Sequence, residues 1–120
     1  MAFSDPQSIT INSVATSLPR TAFGTNSGAF TSGDGSVKLS VSHQKGNRNR
    51  HVVRVDHNKV APDPLISSQN IKFSMSAYLV IDVPQTGYSA TEAKQIVDGL
   101  TAFLTASTGA NVTRVLGDEI

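Results

Sequence analysis

The chain has 120 residues, a formal net charge of +1 and no cysteine. On length it is a single domain, 1–120, with room for one core. The missing Cys excludes a disulfide framework and thiolate chemistry. No apolar run approaches the ~20 residues a membrane helix needs, so no membrane partner is expected, and the opening MAFSDPQS lacks the basic start and apolar core of a secretory signal.

In chain order, Ser8 to Val14 (SITINSV) reads as a short strand, and Leu18-Pro19-Arg20 interrupts the pattern because Pro cannot donate to a sheet ladder. Thr21 to Ser32 is weakly patterned; Gly24 and Gly28 point to an irregular or bulged strand. Residues 1–32 thus form an N-terminal hairpin region. Ser32, Gly33, Asp34 and Gly35 are a strong turn signal into a central sheet region, 33–84.

The stretch Ser36 to Val60 is the most ordered pattern in the chain. It reads VKLSVSH, QKGNRN, RHVVRVDHNKV: two alternating strands around a polar turn. Leu39, Val41 and His43 share one face of the first strand, and Lys38, Ser40 and Ser42 the other. Across the turn, His51, Val53 and Val55 fall on one face, and Arg50, Val52, Arg54 and Asp56 on the other. Period-two alternation specifies a half-buried antiparallel hairpin. Lys38, Lys45, Arg48, Arg50, Arg54 and Lys59 lie here against the single acid Asp56, a local basic surface on a nearly neutral chain.

A loop of roughly ten residues, APDPLISSQN, follows; Pro62 and Pro64 stiffen it around Asp63. Ile71 to Val83 is the longest strand candidate. Phe73, Met75, Ala77, Leu79, Ile81 and Val83 form one face; Lys72, Ser74, Ser76, Tyr78, Val80 and Asp82 form the other. Ser89 to Glu92 reads as a capping box. Ala93, Ile96, Val97, Leu100, Phe103, Leu104 and Ala106 then recur at helical spacing, which predicts a helix from about Ala90 to Ala106, within 89–107, ending near Gly109. The tail, 108–120, is either a short strand or a short helix.

The fold class is therefore α+β: an antiparallel sheet of about five to six strands with a C-terminal amphipathic helix. One helix is too narrow to cover such a sheet. The exposed apolar area argues for association, most simply a two-fold dimer using Ile96, Val97, Leu100, Phe103 and Leu104.

Enzymatic chemistry finds no support in the residues. No phosphate-cradling Gly loop precedes a helix, no general acid/base pair stands out, and nothing groups Ser, His and Asp as a triad. His43 and His51 fall opposite each other, but two ligands without a Cys or a nearby carboxylate read as structural histidines rather than a metal centre. No cofactor and no metal are expected. The basic face reads either as a solvated strand surface or as a site for an anionic partner.

The order of elements from about Val37 to Ala106 resembles the coat proteins of the small single-stranded RNA bacteriophages, the leviviruses. Its carriers are VKLSVSHQKGNRNRHVVRVDHNKV, the Pro-containing loop, SAYLVIDVP and the capped helix. The resemblance implies an interlocked dimer with one continuous sheet, helices over one face, and an icosahedral shell whose inner face binds genomic RNA. It also implies an RNA hairpin bound as a translational repressor, and a virion protein present in the host cytoplasm during assembly. The loop Asn58 to Asn70, with Pro62, Asp63 and Pro64, would make inter-subunit contacts.

The RNA face implied by position is Lys38, Ser40, Ser42, Arg50, Val52, Arg54, Asp56, Ser76 and Tyr78. Ser40 and Arg54 fit the family's serine and lysine positions. Lys38 and Val52 stand where threonines are expected, and Tyr78 falls two residues later than the family's stacking tyrosine. The alternative is a small dimeric RNA-binding regulator that forms no shell. A third reading, a pilus-like structural subunit, would normally carry a signal segment.

Overall fold

The computed structural model describes residues 3–66 and 68–120. The chain divides into two compact units, Met1–Asp82 and Val83–Ile120. The first holds the strands. A two-stranded sheet pairs β1 (Gln7–Ile11) with β2 (Val14–Leu18). A five-stranded sheet runs in chain order: β3 (Arg20–Phe23), β4 (Ser27–Thr31), β5 (Val37–Gln44), β6 (Arg48–Pro62) and β7 (Asn70–Pro84). The second unit carries one helix, α1 (Ala90–Leu116).

The N-terminal third differs from the sequence expectation in its turns. The segment read as one strand over Ser8 to Val14 is broken at Asn12 and Ser13, whose φ values of 52° and 64° are left-handed. Two adjacent residues at positive φ make the tight turn whose twist matches antiparallel strands, and Asn tolerates that conformation well. The result is the β1–β2 hairpin, with Ile11 opposite Val14 and Gln7 opposite Leu18. The stretch read as one irregular strand over Thr21 to Ser32 is likewise a hairpin. The Gly24 N–H bonds to the Ser27 carbonyl at 2.8 Å and closes its turn. The pairing does shift register, but between Arg20 and Ala22 rather than at Gly24 or Gly28, from which an irregular strand was expected.

The turn over Ser32 to Gly35 forms as its composition dictates. Gly35 donates to the Ser32 carbonyl at 3.0 Å and takes φ +77°, a conformation that L side chains rarely adopt. Asp34 Oδ1 accepts from Ser32 Oγ (2.7 Å), Ser36 Oγ (2.8 Å) and the Ser36 N–H (3.0 Å). These bonds stabilise the carboxylate, and they hold its pKa down from 3.8 to about 2, the Ser32 hydroxyl contributing most.

The central hairpin has the register that alternation requires. Val37 faces His57, Leu39 faces Val55, Val41 faces Val53 and His43 faces His51; Lys38 faces Asp56, Ser40 faces Arg54, Ser42 faces Val52 and Gln44 faces Arg50. One face is apolar, and it carries the core. Leu18, Phe30 and Val37 are buried, with Ile9, Leu39 and Val55 packed against them. The β1–β2 hairpin thus supplies a lid over one end of that face, each fully buried side chain contributing about 1.5–3 kcal/mol. Arg20 lies over the Phe30 ring at 5.2 Å.

Away from that lid the apolar face is open. A recess of about 490 Å³ is lined by Ile11, Val55, His57, Phe73, Met75 and Ala77 among others. Met75 on β7 is 63% exposed.

The loop after the hairpin is shorter than expected. β6 runs on to Pro62, which places Pro62 at a strand end, and β7 starts at Asn70. Within the connection, Asp63 donates to the Gln69 carbonyl and its carboxylate accepts from the Leu65 N–H, both at 2.8 Å. Ser67 of this loop lies outside the described residues.

In the second unit, Ser89 caps the helix: its Oγ accepts from the Glu92 N–H at 3.2 Å. Lys94 and Asp98 pair across one turn at 2.7 Å. Helical geometry breaks where the sequence predicts, at Ala106 to Gly109, with Ser107, Thr108 and Gly109 at φ 53°, 58° and 85°. It then resumes, so the tail is helical through Leu116. Asn111 Nδ2 donates to the Phe103 carbonyl at 2.8 Å, satisfying a backbone group that the break leaves without its helical partner. No residue of the helix is buried.

Candidate nucleic-acid interface

The polar face of the five-stranded sheet is assembled from three adjacent strands. β5 contributes Lys38, Ser40 and Ser42. β6 contributes Arg50, Val52, Arg54 and Asp56, each in register with its β5 partner. On β7 the side chains are placed by their contacts. Arg54 stands over the Tyr78 ring at 5.7 Å, and Arg48 Nε bonds Asp82 Oδ1 at 3.1 Å. Tyr78 and Asp82 therefore share the arginine face, and Ser76 joins them by the period of two. All nine residues read from the sequence lie on this one face.

Its electrostatics are more tempered than the sequence suggests. Arg54 Nε is 2.9 Å from Asp56 Oδ1. Asp82 takes Arg48 at 3.1 Å and reaches Arg50 at 4.0 Å. These side chains remain 36% to 56% exposed. Ion pairs this accessible contribute about 0–1 kcal/mol, little enough that an incoming anion can compete for the arginines. Tyr78 is 64% exposed.

Arg48 and Asp82 are the residues that sequence reasoning left out of the site. They enclose a shallow recess with Gln44, Lys45, Gly46 and Arg50. Their signal was available: Arg48 shares the parity of Arg50 and Arg54, and Asp82 that of Tyr78. What was not available was the offset of β7 against β6, which brings them together.

On the opposite, apolar face His43 Nδ1 and His51 Nδ1 are 2.9 Å apart. Among the described residues no three His, Cys, Asp or Glu side chains gather as a metal-holding group. Among the same residues no helix is long and apolar enough to cross a membrane.

No protein-family model and no curated protein sequence matches the chain. Solved structures do. The virus-like particle of bacteriophage AVE019 aligns with TM-score 0.76 and 12% identity, over 87% of this chain and 88% of that one. The virus-like particle of Beihai levi-like virus 21 aligns with TM-score 0.73 and 13% identity, over 98% and 95%. The capsid protein of bacteriophage GA aligns with TM-score 0.62 and 9% identity, over 95% of both chains. Identities this low speak for the fold alone, and the coverage extends that likeness well beyond the segment in which the sequence resemblance was found. The chain has the fold of the levi-like bacteriophage coat proteins.

Proposed function

We propose that the chain is the subunit of a bacteriophage shell, a structural protein rather than an enzyme. It dimerises, assembles around single-stranded genomic RNA, and binds an RNA hairpin as a translational repressor. It resides in the virion, and in the host cytoplasm while shells form. The observation that carries this reading is a sheet with one open apolar face and one basic, polar face, in a chain with the coat-protein fold.

Dimerisation follows from what the isolated chain leaves uncovered. On the helix, Ile96 is 62% exposed and Phe103 57%. With Val97, Leu100 and Leu104 they form a stripe that water disfavours, and a second copy removes it. β7 supports the interlocked form. It is a 15-residue strand at the edge of the five-stranded sheet. A long, unpaired edge is a template for another strand, and pairing two such edges about a two-fold axis produces one continuous sheet.

RNA takes the polar face. Lys38, Arg50 and Arg54 neutralise phosphates and release counterions, which makes binding salt-dependent. Tyr78 stacks on an unpaired base, worth about 1–3 kcal/mol. Ser40, Ser42, Ser76 and Asp56 offer hydrogen bonds to base edges of a single-stranded loop, and Val52 apolar contact. Pro62, Asp63 and Pro64 serve contacts between dimers. The neighbouring Leu65, 92% exposed, gives that loop apolar surface to bury.

Size-exclusion chromatography with absorbance at two wavelengths tests the reading. Material in the void volume carrying a nucleic-acid spectrum is expected from protein expressed alone in bacteria. A discrete dimer under every condition contradicts the shell and favours a dimeric RNA-binding regulator.

A further inference from the structure

The histidine pair on the apolar face is not used by the proposed function. His43 on β5 and His51 on β6 are directly opposite. The His43 N–H bonds the Asn26 carbonyl on the far side at 2.8 Å, so between β5 and β6 this is a non-hydrogen-bonded pair. Side chains approach most closely at such pairs. The two Nδ1 atoms meet at 2.9 Å, with ring centroids 5.0 Å apart and planes at 72°. At that distance one nitrogen holds the proton and the other offers its lone pair.

We propose that His43 and His51 form a two-imidazole chelate for a divalent late first-row cation of tetragonal preference, copper or nickel. The argument is geometric. Two nitrogens at ~2.0 Å from one cation stand about 2.8 Å apart at a right angle and about 3.3 Å apart at the tetrahedral angle. The observed 2.9 Å lies nearer the right angle than the tetrahedral angle that zinc prefers. A cation takes the place of the shared Nδ1 proton, which shifts to Nε2 of the ring that held it, so both imidazoles stay neutral, as ligation requires. His43 is exposed, which leaves the remaining coordination positions open to water. The strands fix the two ligands before the metal arrives, so little ordering entropy opposes binding.

Copper(II) chloride titrated into the full chain, carrying no added histidines, tests the site. One equivalent is expected to bind, and pulsed electron paramagnetic resonance of the unaltered protein is expected to show two imidazole nitrogens on the copper. His43→Asn and His51→Asn are each expected to weaken binding about tenfold or more. His57→Asn is expected to leave it unchanged. His57 and the chain's amino terminus persist in the His43→Asn/His51→Asn double variant. Copper held equally well by that variant, a single-imidazole spectrum, or no uptake by the unaltered chain overturns the assignment.

Discussion

Asp34 shows how much of a turn can rest on one carboxylate. It accepts three hydrogen bonds from Ser32 and Ser36, and its pKa falls from 3.8 to about 2. A depressed carboxylate contributes stability that is present above its unfolded pKa and is lost as pH falls through the folded value. Denaturant titrations of the native chain and Asp34→Asn are expected to differ in midpoint above about pH 4 and to converge toward about pH 2. A difference that stays constant across that range would show that the carboxylate's charge is not what matters. The arginines make a second prediction at this scale. Arg50→Ala with Arg54→Ala should weaken RNA binding and, at one phosphate each, flatten the log–log salt slope by about 1.4. An unchanged affinity and slope would remove the polar face as the RNA surface. Sequence parity placed these side chains on one face, because alternation alone decides facing. It did not show that Asp56 and Asp82 hold the arginines, nor how closely His43 and His51 approach, because those depend on rotamers and strand offset.

At the scale of elements, legibility followed the strength of the local signal. The Ser36 to Val60 hairpin was readable because both faces alternate without interruption and a one-residue slip would exchange them. The Ser89 cap and the break before Gly109 were readable because each rests on one residue's chemistry. The turn at Asn12 and Ser13 was missed because Ser is a weak turn former and β-prone residues flank it. The helical tail was left open because seven residues past a break are too few for periodicity to decide. The helix is itself the subject of a prediction. Ile96→Asp or Leu100→Asp should abolish the soluble dimer, since the carboxylate would be buried without a partner. Both side chains are exposed in the single chain, so the helix itself should survive. Sedimentation alongside circular dichroism separates the two effects. A dimer that persists in either variant would assign the interface to another surface.

For the whole molecule, the arrangement is a division of labour between two faces of one sheet. The β1–β2 hairpin covers only part of the apolar face, and the core it closes is small. The recess at Phe73 and Met75, the helical stripe and the β7 edge all call for a second copy. The polar face carries no comparable apolar demand. On the proposed function, the open apolar face would serve assembly and the polar face RNA, so that a shell could close without covering its RNA surface. Negative-stain electron microscopy of the protein expressed alone in bacteria tests this most directly. The account predicts uniform round particles that contain host RNA; small dimers alone, with and without added RNA hairpins, would contradict it.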